Sequence, residues 1–153
     1  MRLVRTNEDI WSYADKENLI VVPINNFVRK DGGLAISGKL AKGLEERLPA
    51  LSSRWGYLVK SGVEMPTYRT SHLSLVGLKD REHYASRPDP QIISDSLHLL
   101  NETSMNSPEY VYYLSGYLGG PDYEEMHHQI LTSDRIVVLI PEDSDTSHDS
   151  VIE

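Results

Sequence analysis

"VVPINNFVRKDGGLAISGKL", residues 21–40, holds a strand-like apolar run, two asparagines, a charged loop, a glycine pair and the start of a periodic stretch. The run begins at "NLIVVPI" (18–24), where β-branched residues without alternation predict a buried strand. Pro23 falls near its end, where a missing N–H matters least. Beyond the glycines, Ile36, Leu40, Leu44 and Leu48 recur every fourth residue and predict a helix with one apolar stripe, ended by Pro49. One strand-to-helix crossover therefore carries Asn25-Asn26 at its entry and Gly32-Gly33 at its exit.

Working outward, "RLVRTNED" alternates weakly and predicts an edge strand, and "GYLVKSG" (56–62) and "SHLSLVGL" (71–78) read as strands. The stretch 79–91, with two prolines, many charges and no period, reads as a loop. "PQIISDSLHLLNE" spaces Ile93, Leu97 and Leu100 as a helix does. "EYVYYLSG" (109–116) predicts a strand that enters a second glycine loop, and "PDYEEMHHQIL" then predicts a helix with Pro121 at its first position. "RIVVLIP" (135–141) is a further buried strand. Strands alternating with helices predict one α/β domain over residues 1–141, a three-layer α/β/α sandwich on a mixed, largely parallel sheet. Residues 142–153 form an acidic tail expected to be disordered.

Composition bounds the function. A chain of 153 residues fits one domain, and a formal net charge of −8 disfavours a nucleic-acid binder, which normally presents a basic face. A small anion is still admissible, because backbone dipoles can oppose the overall field. Cysteine is missing, which removes thiol chemistry and Cys-ligated zinc. No stretch approaches the ~20 apolar residues that span a bilayer, and "MRLVRTNEDI" lacks the apolar core of a signal peptide. The expectation is a soluble, cytoplasmic monomer without membrane partners.

In an α/β sandwich, ligands bind beyond the carboxyl ends of strands. Both glycine loops, "NNFVRKDGGLA" and "SGYLGGPD", are expected there, where backbone N–H groups could clamp a diphosphate from two sides. Neither matches GxGxxG or a Walker A motif, and the same glycines would serve in tight turns. "EEMHH" offers Glu124 and His128 at i, i+4 with His127 adjacent, but neighbouring histidines point apart. The reading therefore includes no metal and no cofactor. Glu124 and Glu125 fit first-turn acids, and Trp11 and Trp55 fit packing.

The order of "EDI" (8–10), "PINN" (23–26), "DGGLA" (31–35) and "SGYLGGP" (115–121) resembles the macro domain family, which binds ADP-ribose. The resemblance spans roughly residues 3–141. It implies that Asp9 accepts from the adenine amino group with Ile10 beside it, and that Asn26 contacts the distal ribose. Gly32, Gly33, Gly116, Gly119 and Gly120 would hold the diphosphate, with Leu34, Ser115 and Leu118 completing the loops and Tyr117 near the distal ribose. Asn25 stands where the family has alanine. An Asx turn is the ordinary reading of Asn26, and a covering loop residue that of Tyr117.

Departures from the family pattern bear on chemistry. Asp31 stands in place of a glycine and could act as base or nucleophile, or simply cap the helix. Ala35 replaces the acidic residue of one ADP-ribosyl hydrolase branch. Lys39 resembles the lysine of the branch that removes ADP-ribose from glutamate, although the matching acid, Asp122, is displaced; it could equally be a solvated helix lysine. His83, with Arg81 and Arg87 nearby, could serve as an acid or phosphate ligand, or be an ordinary loop residue. The expectation is a hydrolase at the distal ribose, an ADP-ribose 1''-phosphate phosphatase with Asn26, Asp31, Lys39 and His83 as catalytic candidates. Alternatives are a non-catalytic ADP-ribose module, a de-ADP-ribosylating enzyme using Lys39, or a domain binding another phosphorylated metabolite.

Overall fold

The structure, a computed structural model, describes residues 1–15, 17–36 and 39–142. The tail from residue 143 lies outside the described residues, as do Ser37 and Gly38. Among the described residues six strands form one sheet: β1 (Arg2–Arg5), β2 (Asn18–Asn25), β3 (Thr67–Arg69), β4 (Ser74–Arg81), β5 (Val111–Ser115) and β6 (Ile136–Ile140). Their order across the sheet is β1-β6-β5-β2-β4-β3. Every neighbouring pair is parallel except β3 with β4. The helices are α1 (Lys39–Arg47), α2 (Leu51–Lys60), α3 (Pro90–Asn106) and α4 (Glu124–Ile130).

Two apolar layers explain the unbroken β2 run. Leu19 and Val21 face one core with Ile93, Leu97 and Leu100 of α3, while Ile20, Val22 and Ile24 face another with Leu44 of α1 and Leu51, Trp55 and Val59 of α2. A strand covered on both faces has no place for polar alternation. The expected three-layer sandwich is the observed one. Asp89 caps α3, its Oδ1 accepting from the Gln91 and Ile92 N–H groups at 2.9 and 3.2 Å, and Pro90 opens the helix. Among the described residues, no helix is long and apolar enough to cross a membrane.

Two local expectations are corrected, and one strand goes unannounced in the sequence. The stretch 56–62 is not a strand: it begins inside α2, which buries Leu51, Trp55 and Val59 at four-residue spacing. Gly56 disguises that period, and its role is tertiary. A Cβ there would run into the Gly32 carbonyl, so α2 and the first glycine loop touch backbone to backbone. The strand expected at 71–78 is β4, which continues through Lys79, Asp80 and Arg81 into the stretch read as loop. The short edge strand β3 has no apolar run to announce it.

Candidate functional site

From β2 the chain moves through α1 and α2 to β3 and β4 on one flank, and from β5 through α4 to β6 on the other. Because β2 and β5 are neighbours, their outgoing loops part, and a crevice opens at the carboxyl ends of the strands. It has a volume of about 410 Å³. Asn25 and Ile24 of β2, Asp80 and Arg81 of β4, and Ser115, Tyr117, Gly119 and Gly120 of the second glycine loop line it. A larger cavity of about 550 Å³, bounded by Leu3, Arg5 and Ile140, shares Ser115, Tyr117 and Gly120 with the crevice. The second loop is thus a partition with space on both sides.

A bulge shapes the polar wall. Ile24 pairs with Lys79 and Asn25 with Arg81, so Asp80 is the extra residue of β4. Consecutive residues of a regular strand face opposite ways, whereas a bulge can turn two toward one side. Asp80 and Arg81 accordingly form a two-point pair, Arg81 Nε and Nη2 donating to the carboxylate at 2.9 and 3.1 Å, while Nη1 donates to the Ser86 carbonyl at 3.1 Å. The Asp80 carboxylate raises the Arg81 pKa further above its usual high value. The result is a guanidinium held on three contacts at the mouth of the sheet. Asp80 escaped the sequence reading, because no local pattern announces a bulge.

The second loop is held from beneath. Leu118 N–H donates to Nε2 of the fully buried His127 at 2.8 Å, and Gly116 N–H donates to the Leu139 carbonyl at 2.9 Å. Gly120 N–H donates to the Tyr117 carbonyl at 2.9 Å. The Gly119 N–H has no partner among the described residues, and Gly119 is one of the residues that line the crevice. Gly119 has φ +87°, and a Cβ there would collide with Ile93 and with the Tyr123 ring, so only glycine suits the position. The Tyr117 hydroxyl donates to Glu124 at 3.3 Å.

The first loop closes on itself. Asn25 Nδ2 donates to the Ala35 carbonyl at 2.6 Å, and Phe27 N–H donates to Asn25 Oδ1 at 2.8 Å. Gly32 N–H is taken by the Arg29 carbonyl, Gly33 N–H by Asp31 Oδ1 and Leu34 N–H by the Ser52 carbonyl, each at 2.9 Å. The Gly33 N–H, with the Arg29 guanidinium behind it, holds the exposed Asp31 carboxyl below its ordinary pKa. Gly32, Gly33 and the fully buried Leu34 therefore pack the loop against α2 and are not among the crevice residues.

The remaining candidates scatter. Asn26 turns away from the crevice, its Nδ2 donating to the Glu82 carboxylate at 3.0 Å, and lines a separate cavity of about 320 Å³ with Glu64, Lys79 and Asp95. Lys79, a further group missed from sequence, is buried and lies 3.6 Å from Glu64. His83 accepts from the Ala85 N–H at 3.0 Å, stacks with Tyr84 at a ring distance of 4.2 Å and meets Phe27 edge-on at 4.4 Å. Asp9 caps a short 3-10 turn by accepting from the Trp11 N–H at 3.1 Å, and Ile10 is buried in the α1–α2 core. Lys39 opens α1. Arg87 and Asp122 are exposed. The structure thus brings Ser115, Tyr117, Gly119 and Gly120 together with Asn25, Asp80 and Arg81, and leaves Asn26, Asp31 and His83 outside the crevice.

A three-layer α/β/α sandwich with a crevice at the switch point of its sheet defines a class of ligand-binding fold. Within that class the chain has the macrodomain fold. The macrodomain of Thermus aquaticus DarG superposes with a TM-score of 0.66 at 15% identity, over 92% of this chain and 97% of that one. Thermosipho africanus DarTG in complex with ADP-ribose gives a TM-score of 0.70 at 12% identity, covering 92% of this chain and 42% of that chain, so this chain spans less than half of DarTG. A macrodomain protein from Streptomyces coelicolor gives 0.60 at 13% identity, over 90% of this chain and 97% of that one. No protein-family model matches the sequence, and no curated protein matches it.

Proposed function

We propose that the chain binds ADP-ribose or an ADP-ribose derivative, and that it is a hydrolase acting at the distal ribose. The observation that carries the reading is the crevice between β2 and β5. It brings Gly119, whose amide has no partner among the described residues, together with Arg81, whose guanidinium is fixed, in a fold shared with a DarTG structure in complex with ADP-ribose. A backbone N–H and a guanidinium are the donors a diphosphate requires. Space on both sides of the second loop suits an elongated ligand rather than a lone phosphate.

For the reaction, ADP-ribose 1''-phosphate is the substrate to assay first. Phosphate release needs charge neutralisation and a proton donor or activated water, with Asp31, Lys39 and His83 as candidates. A second reading, a module that binds without turnover, is favoured by a specific observation: Asp31 is tied to Gly33, and His83 to Ala85 and its two aromatic neighbours. Calorimetric titration with ADP-ribose, ADP and ribose 5-phosphate tests the shared part. Binding of ADP-ribose alone supports it, whereas equal binding of all three points to another phosphorylated metabolite. Phosphate release from ADP-ribose 1''-phosphate then separates enzyme from module.

A further inference from the structure

We propose that His127 is a positioning residue for the second glycine loop, and that its contact with Leu118 sets the Gly119 N–H on the crevice. His127 is fully buried, and each ring nitrogen has one partner: Nδ1 meets the Tyr123 carbonyl at 2.6 Å, and Nε2 meets the Leu118 N–H at 2.8 Å. A carbonyl can only accept and an amide N–H can only donate, so Nδ1 carries the proton and Nε2 is a bare acceptor. The imidazole is therefore neutral, with its tautomer set by the start of α4. Burial lowers its pKa, which agrees with this geometry.

Leu118 is the middle residue of the loop, and its side chain is also buried in the α3–α4 core. The Gly116 and Gly120 amides on either side are held by backbone carbonyls, which leaves the Leu118 amide dependent on one side chain. Without that acceptor a buried N–H would be orphaned, and the loop would relieve it by lifting toward water. Gly119, next in the chain, would move with it. The Tyr117 ring meets His127 edge-on at 5.1 Å, so the same imidazole also steadies a second crevice residue.

The binding half of this inference rests on the proposed ADP-ribose site, and the structural half does not. The test compares the full chain with His127→Leu, which keeps an apolar side chain but has no acceptor, and His127→Gln, whose amide oxygen can reach the Nε2 position. Amide hydrogen exchange at Leu118 is measured relative to Ile20 and Val138, alongside calorimetric titration with ADP-ribose. The expected result is a relative loss of Leu118 protection and of affinity of about ten-fold each in His127→Leu, with most of both recovered in His127→Gln. Unchanged relative protection, a uniform loss at all three amides, or lost protection with unaltered affinity would each overturn the proposal. A wild-type chain that ignores ADP-ribose would sink the functional reading, while the exchange data would still decide whether His127 holds the loop.

Discussion

The two glycine loops look interchangeable in sequence, each delivering glycines between a strand and a helix, yet they do different work. In the loop after β2, the Gly32 and Gly33 amides are spent on the loop itself, and its glycines lie against α2. In the loop after β5, Leu118 is anchored from beneath by His127, and Gly119, whose amide has no partner among the described residues, lines the crevice. Glycine serves close backbone packing in the first and exposure of a donor in the second. A glycine pair before a helix therefore does not by itself identify an anion site; where its N–H groups go does.

The sharpest way to break this comparison is to add one methyl group to each loop. Gly119→Ala combines a left-handed backbone with overlap against Ile93 and Tyr123, a cost of about 3 kcal/mol. ADP-ribose binding should fall at least about thirty-fold with it, as a misplaced donor does to an anion. Gly33→Ala meets only side-chain atoms, the ends of Arg29, Ser52 and Asp31, so titration should show a much smaller loss. A larger loss from Gly33→Ala than from Gly119→Ala would reverse the assignment of the two loops.

Gly56→Ala probes the packing role of the first loop. Its Cβ meets a backbone carbonyl that cannot move without the loop, and thermal unfolding should report a loss of about 2 kcal/mol. Asn25→Ala leaves the Ala35 carbonyl and the Phe27 N–H unpaired, at about 2 kcal/mol, whereas Asn26→Ala removes an exposed contact to Glu82 and should stay within about 0.5 kcal/mol. Equal losses from the two asparagines would show that the Asn25 clamp does not hold the loop.

The pH response is smaller and belongs to the second loop. The folded pKa of His127 lies below the ordinary value of about 6.5 that it regains on unfolding. Its contribution to stability is therefore complete above about pH 6.5 and is lost as pH falls from there through the lowered folded value. Tyr117 from the loop and Tyr123 and His128 from the helix end surround it. Melting temperatures at pH 7.5 and pH 5 should differ more in the wild-type chain than in His127→Gln. The least effect on stability is expected from Asp31→Ala: unchanged phosphate release would confine the carboxylate to its turn with Gly33, and loss of release with retained binding would give it a chemical role.

Much of the architecture was legible along the chain. The runs at 18–24 and 135–141 lack alternation because both faces of those strands are covered, and that requirement is written locally in β-branched residues. The helix at 90–106 announces itself through the spacing of Ile93, Leu97 and Leu100, whereas the Asp89 cap falls in the stretch read as loop. The α2 period was hidden by Gly56, whose reason lies across the fold in Gly32. Asp80 and Arg81 were read as loop residues because charged residues at a strand end carry no period, and only pairing with β2 makes them strand and bulge.

By itself, then, the sequence determined the alternation of strands and helices, the largely parallel sheet and the two glycine loops as candidate sites. Those features follow from side-chain period and from backbone freedom, which are properties of neighbours in the chain. Tertiary structure alone decided which asparagine lines the crevice, because Asn25 is held by the Ala35 carbonyl while Asn26 is drawn to the Glu82 carboxylate, partners supplied by other parts of the chain. It also decided which glycine amide stays unpaired and which histidine holds the loop. Hydrogen-bond partners such as Leu118 and His127 come from separate elements, and no local pattern can say that two such groups will meet.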